Sequence, residues 1–273
     1  MLRIAVPLGC LVLALAGCAH GIGASDTDQT AYDESVRVSR LAIGGAPPTC
    51  ESQTKVAVQL VRYIGPTDEA FAACVGRFAK KSGVKLEITS PGGPVDIAIA
   101  ASYLVALQKW DVVVRGVCAS SCANYVVPAA RRLTVLPYSV IFTHGRPELG
   151  DEAGLRSTIA RQTGLAGADL DRLVRDTIRR SQTSVDAHTS FAGQLGIGEF
   201  WFALDPRLPV REARRAGTAP SLLAMSPEMY AACVGKAPQF YWFPANEDDW
   251  KKIEKLTAYV VERPDRGSPY QCR

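Results

Sequence analysis

Apolar and polar positions alternate in short blocks through the first half of the chain. Residues 56–64 are rich in apolar and β-branched side chains and end at Gly65-Pro66, which predicts a strand. Thr67-Asp68-Glu69 opens a helix with a cap and an acidic first turn. Phe71, Cys74, Val75 and Phe78 follow at helical spacing, and Lys80-Lys81 before Gly83 close it. Val84, Leu86 and Ile88 alternate with Lys85, Glu87 and Thr89, the pattern of a half-buried strand. Ser90-Pro91-Gly92-Gly93-Pro94 is a tight turn. A helix over 95–109 follows, with Ile97, Ala101, Leu104 and Val105 on one face, and then a buried strand over 112–117. The order β-α-β-turn-α-β with short connections implies an α/β fold with parallel strands and right-handed crossovers.

Beyond that block, 120–127 reads as a short helix stopped by Pro128. Residues 133–136 and 140–143 read as short strands, with His144 directly after the second. Residues 152–189 are helical and highly charged, with Arg161, Arg172, Arg175, Arg179 and Arg180 among acidic residues. A solvated helical face explains them more simply than an arm or an oligomer contact. Residues 206–273 are less regular. Arg211-Glu212-Ala213-Arg214-Arg215 reads as a surface turn rather than a lipid contact. Phe240-Tyr241-Trp242-Phe243 and Trp250 read as the packing of a small C-terminal lobe rather than a ligand cage.

Composition narrows the classes. Of 273 residues, 47% are hydrophobic and 21% charged, so the chain can bury a full core and is not wholly disordered. A net charge of +4 does not demand a nucleic-acid partner. Residues 1–17 combine a positive start with an apolar run too short to span a bilayer, the pattern of a signal peptide. Leu15-Ala16-Gly17-Cys18 looks like a lipobox, so the mature chain is expected to begin at an acylated Cys18 and stay membrane-anchored. An ordinary signal peptide is the alternative, and Leu8-Gly9-Cys10 is a poorer lipobox. Ala19 after the cysteine, in place of Asp, favours the outer membrane of a Gram-negative envelope with the chain facing the periplasm. Residues 18–54, rich in Gly, Ala, Ser, Thr and Asp, read as lipidated cysteine plus flexible tether. Six cysteines remain: Cys50, Cys74, Cys118, Cys122, Cys233 and Cys272. Their even count in an exported chain favours disulfides, and six cysteines allow about 15 connectivities. Proximity suggests Cys50 with Cys74, Cys118 with Cys122, and Cys233 with Cys272.

Three stretches at predicted strand ends carry chemistry: residues 90–94, 116–123 and 141–145. Sites in open α/β sheets form at the carboxyl ends of parallel strands. Ser120 sits at a strand-to-helix turn, which projects its hydroxyl and puts following N–H groups at a helix start, where they can stabilise an oxyanion. Ser121 would supply one such N–H and the Gly92-Gly93 turn another, since glycine lets backbone approach a substrate closely. Pro94 suits the first helical position. A serine needs a base. Of His144 and His188, His144 follows a strand of the same sheet, whereas His188 reads as a solvated helix residue.

At these residues the chain resembles the Clp/crotonase superfamily, in particular the Clp-protease proteolytic subunit and its exported relatives. The resemblance rests on Ile88-Thr89-Ser90-Pro91-Gly92-Gly93, on Gly116-x-x-Ala119-Ser120, and on Leu136-Pro137-x-Ser139 leading to His144, and covers about residues 55 to 200. It implies a spiral of β-β-α units with a mostly parallel sheet over 55–205, followed by the C-terminal lobe at 206–273. It implies Ser120 as nucleophile, His144 as general base, and the Gly93 and Ser121 amides as oxyanion hole. A peptide or protein substrate would be hydrolysed through an acyl-enzyme, and relatives often assemble into rings or trimers.

The sequence departs from that pattern in several places. Cys118 and Cys122 bracket the serine, as a disulfide in preference to a metal site with His144. Ser121 beside Ser120 leaves a one-residue register ambiguity. Gly196-Ile197-Gly198-Glu199 stands where relatives carry an Asp, making Glu199 the candidate acid and Asp186 the fallback. The chain has no Gly-x-x-x-x-Gly-Lys-Ser/Thr phosphate loop, so no ATPase partner is expected, and neither cofactor nor metal is called for. The alternative function is a catalytically inactive envelope protein-binding scaffold. A thioester enzyme of the crotonase side is disfavoured, because coenzyme A is not expected outside the cytoplasm.

Overall fold

The computed structural model describes residues 24–55, 58–147, 149–202, 221–257, 260–264 and 272. The expected signal peptide 1–17, the Cys18 lipidation site and the basic segment 211–215 lie outside them.

The described residues fold as an α/β structure on one mixed, mostly parallel sheet, with nine strands among them. The predicted β-α-β-turn-α-β block is present as β2 (Val58–Ile64), α2 (Glu69–Phe78), β3 (Val84–Ser90), α3 (Val95–Leu107) and β4 (Asp111–Ala119). β2, β3 and β4 are neighbouring parallel strands. Asp68 caps α2 by accepting the amides of Ala70 and Phe71, and Phe71, Cys74, Val75 and Phe78 form its buried stripe. On α3 the buried face is Ala98, Ile99, Ala101, Ser102 and Val105, turned slightly from the expected stripe, so that Ile97 and Leu104 are half-buried. The helix is covered by α2 on one side and by later helices on another, which blurs its amphipathic signal.

β4 is the central strand and pairs with two strands in succession. Its first half, Asp111–Val114, lies beside β5 (Arg132–Val135), and Val117–Ala119 lies beside β6 (Val140–Thr143), all parallel. The change of partner occurs at Gly116, whose φ of 66° only glycine adopts readily and whose N–H donates to Ser139 Oγ at 2.8 Å. Because β3, β4 and β6 run in the same direction, the turns that follow them emerge at one end of the sheet.

Three expectations are corrected. Part of the expected tether is a helix, α1 (Ala24–Ile43), docked on the sheet with Val38 and Ala42 buried. Ser39 Oγ accepts the Val117 amide at 3.1 Å, and Ser35 Oγ donates to the Pro137 carbonyl at 3.2 Å. A Cβ on Gly116 would collide with Ser39 and approach the Ser35 carbonyl to 2.9 Å, so this seam needs small residues on both sides. The same small residues make the helix read as a linker. β1 (Thr49–Lys55) is an added antiparallel edge strand on β2, with a polar sequence that carries no apolar signal. The C-terminal region is not a separate lobe. β7 (Ser221–Ala224) extends the sheet antiparallel to β6, β9 (Val260–Glu262) pairs with β7, and β8 (Phe240–Tyr241) pairs with β5. Two further helices, α7 (Pro227–Val234) and α8 (Glu247–Glu254), accompany these strands. Trp250, with Trp242 and Phe243 beside it, packs in a cluster that also holds Val117, Val140 and Phe142.

The charged region is two helices, α5 (Glu152–Thr163) and α6 (Gly167–Leu195), joined through a left-handed Gly164. Ile159, Leu170 and Val174 form a small core of their own between them. Cysteine pairs lie at disulfide distance as proximity suggested: Cys50–Cys74, Cys118–Cys122 and Cys233–Cys272. Such bonds fit an oxidising, extracytoplasmic compartment. Among the described residues no helix is long and apolar enough to cross a membrane.

Candidate active site

The site is built around the end of β4. The strand stops at Ala119, and Ser120 turns the chain with a φ of 55°, a left-handed conformation that costs a non-glycine residue about 1 kcal/mol or more. Its surroundings hold it there. The Ser120 amide donates to Phe142 O on β6 at 2.9 Å, and its carbonyl accepts the Asn124 amide at 2.8 Å. The Cys118–Cys122 disulfide spans the bend with a Cα–Cα distance of 5.4 Å and both sulfurs' residues fully buried. After Ser121 the chain makes a π-helical turn (Cys122–Val126), which runs into the short helix α4 (Val127–Ala129). Pro128 is therefore inside the helical segment rather than its stop.

His144 arrives from the neighbouring strand. β6 pairs in register with β4, Ala119 opposite Phe142, so the residues just past each strand end are close. Ser120 Oγ lies 2.6 Å from His144 Nε2. For the hydroxyl to donate, the imidazole must be neutral with its proton on Nδ1. Ser120 is half-exposed and His144 exposed, so the pair is open to a ligand from solvent.

Ser121 points elsewhere. The residue is 2% exposed; its hydroxyl accepts the Gly93 amide at 2.7 Å, donates to the Gly93 carbonyl at 2.7 Å, and lies 3.1 Å from Thr67 Oγ1. Ser120 is therefore the serine beside the imidazole, and Ser121 binds the Gly-Gly turn to the elbow. The Gly93 amide, expected as an oxyanion donor, is occupied by the Ser121 hydroxyl here. Gly92 has a φ of 97°, and a Cβ on it would come within 2.6 Å of Ser120 Cβ and 2.8 Å of the Ala119 carbonyl. Glycine at this position is what lets the turn pack against the Ser120 elbow. Pro94 sits at the N-cap of α3, one position before its first helical residue.

Glu199 lies on a 3₁₀ turn (Glu199–Trp201), and its carboxylate forms an ion pair with Arg146, two residues after His144. Asp186 is exposed on α6 and accepts a hydrogen bond from Gln182 at 2.7 Å. Cys118 and Cys122 are bonded to each other, so neither offers a thiolate to a metal. Among the described residues no group of three His, Cys, Asp or Glu side chains is arranged to hold one.

The expectation for His188 is corrected: it is buried, not solvated. Its Nδ1 lies 3.3 Å from the Tyr125 hydroxyl, on the turn that follows the elbow, and its ring meets Phe202 edge-on at 4.3 Å. Its Nε2 is buried without a hydrogen-bond partner among the described residues. Burial lowers the His188 pKa below 6.5, with a smaller opposing influence from Glu199 and a further lowering by Arg146.

Two residues at the site escaped the sequence reading. Asn124 and Thr143 are both buried and hydrogen-bonded to each other behind His144, Thr143 Oγ1 donating to Asn124 Oδ1 at 2.9 Å. The available signal was a lone Asn in the otherwise apolar run 122–130.

The sequence matches no protein-family model, and no curated protein resembles it closely enough to count as a relative.

Proposed function

We propose that this chain is an envelope-anchored serine hydrolase of the peptidase type, built on a Clp/crotonase-like spiral. The reading is carried by one observation: a serine hydroxyl on a strained strand-to-helix elbow, 2.6 Å from the Nε2 of a solvent-exposed histidine. The mostly parallel sheet, and a central strand that changes partner at Gly116, support the spiral. The disulfides support export, and the Leu15-Ala16-Gly17-Cys18 sequence supports a lipid anchor facing the periplasm.

In the proposed reaction Ser120 Oγ attacks the carbonyl carbon of a peptide bond while its proton passes to His144 Nε2. The C–N bond then breaks, and the imidazolium returns that proton to the departing amine. Water attacks the resulting ester and gives a proton to His144; the ester C–O bond breaks and Ser120 Oγ recovers the proton. The Ser121 amide, at a helix start without an intrahelical acceptor, suits the developing oxyanion. Gly93 would join it after releasing the Ser121 hydroxyl.

A second reading, an inactive scaffold that binds envelope proteins, is favoured by that occupied amide and by the Arg146 partner of Glu199. Turnover of a peptide library by the wild type and its loss in Ser120→Ala supports the hydrolase. No turnover, with the same proteins crosslinked by wild type and Ser120→Ala, supports the scaffold.

A further inference from the structure

We infer that Asn124 is a positioning residue whose side chain holds the His144 loop against Ser120, an inference that rests on reading Ser120 and His144 as nucleophile and base. The hydrogen bonds around His144 form a closed, one-way ring. The Gly145 N–H donates to Thr143 Oγ1 at 3.2 Å, the Thr143 hydroxyl donates to Asn124 Oδ1 at 2.9 Å, and Asn124 Nδ2 donates to the Gly145 carbonyl at 2.8 Å. The chemistry fixes the direction of the ring. A carbonyl only accepts, so the amide nitrogen of Asn124 must face Gly145, and its oxygen is left for the threonine hydroxyl.

His144 is the residue enclosed by this ring, with its two chain neighbours each bonded to the same side chain. Asn124 also belongs to the elbow, since its backbone amide donates to the Ser120 carbonyl at 2.8 Å. One residue therefore ties the backbone of the nucleophile to both flanks of the base. Gly145 has a φ of 107°, so the loop behind His144 turns in a conformation few side chains allow, and it needs an external hold. Asn124 is 3% and Thr143 1% exposed, so water does not compete for these bonds. A merely structural asparagine would need its partners somewhere, not on either side of the imidazole-bearing residue.

The isosteric Asn124→Leu removes both side-chain bonds. Thr143→Val removes the hydroxyl and keeps the shape, and Thr143→Ser restores it. The experiment measures the phosphonylation rate of the full chain by a fluorophosphonate against probe concentration, with the thermal midpoint of each variant. Misplacing a base by a fraction of an ångström should lower the maximal rate about 10- to 100-fold. Half-saturating probe concentration should stay unchanged in both Asn124→Leu and Thr143→Val, and Thr143→Ser should react within about threefold of wild type. Equal maximal rates in wild type, Asn124→Leu and Thr143→Val would overturn the inference while leaving the hydrolase reading intact. If the wild type itself is not phosphonylated, the hydrolase reading fails and the ring is judged by the His144 imidazole ¹H–¹⁵N signals. Ring signals displaced or broadened in Asn124→Leu and Thr143→Val but kept in Thr143→Ser then support the hold on His144, and signals unchanged in all three contradict it.

Discussion

Ser120 holds a left-handed backbone that its side chain disfavours, and each neighbour that enforces it is identifiable. Gly92 matters most, because its missing Cβ is the space that Ser120 Cβ occupies at 2.6 Å. Gly92→Ala is therefore expected to lower thermal stability by more than about 1 kcal/mol and to slow phosphonylation of Ser120 at least tenfold, read from melting curves and labelling rates. His188 makes a different prediction. Its folded pKa lies below 6.5, so the unfolded chain binds the proton more readily. Stability from the neutral buried ring is complete above pH 6.5 and is lost as pH falls through the folded value. The melting temperature should drop as pH falls from 6.5 to that lower value and level off below it, and His188→Phe should flatten the dependence. At this scale Ser120 and His144 were legible, because a serine at a strand-to-helix turn and a histidine at a strand end each carry their signal in the local pattern. Asn124 and Thr143 were not, since their meaning lies in a contact between segments 19 residues apart. His188 was misread because a charged helix gives no hint of which turn meets the core.

Among the elements, β4 does most to position the site. Its strand ends where β3 and β6 also end, and its register with β6 delivers His144 to Ser120. The Cys118–Cys122 bridge joins the last turn of that strand to the π-helical turn beyond the elbow. Replacing both cysteines with alanine should cost about 2 kcal/mol on the chain-entropy estimate for so short a loop. Labelling of Ser120 should slow beyond what that loss explains, which a comparison of rates well below the melting temperature would reveal. Periodicity made α2 and β3 readable, and continuous apolar runs did the same for β2 and β4. α1 hid because its buried face uses Ser35, Ser39 and Ala42 to approach Gly116 closely, and β1 hid because an edge strand such as Thr49–Lys55 needs no apolar face.

For the whole molecule, the docking of α1 changes the proposed anchorage. Only five residues stand between Cys18 and Ala24, six steps that span at most about 20 Å when fully extended. An acylated Cys18 would hold the folded part close to the bilayer, not at the end of a long tether. Metabolic labelling with a fatty acid should mark the wild type in its native host and spare Cys18→Ala, which should leave the membrane fraction; equal labelling of both would remove the anchor. The C-terminal strands and the Cys233–Cys272 bridge belong to the same sheet and core, so a domain ending near residue 205 would lack three strands of that sheet. That continuity was not legible, because β7, β8 and β9 are two to four residues long and gain their identity from the strands they join.

The contact between Ser120 Oγ and His144 Nε2 is the claim on which the rest depends. Peptide mapping by mass spectrometry after fluorophosphonate treatment of the intact protein tests it directly. The account predicts a single adduct on Ser120, lost in Ser120→Ala and at least tenfold slower in His144→Ala. An adduct on Ser121, or labelling of Ser120 at the same rate with His144 removed, would contradict it.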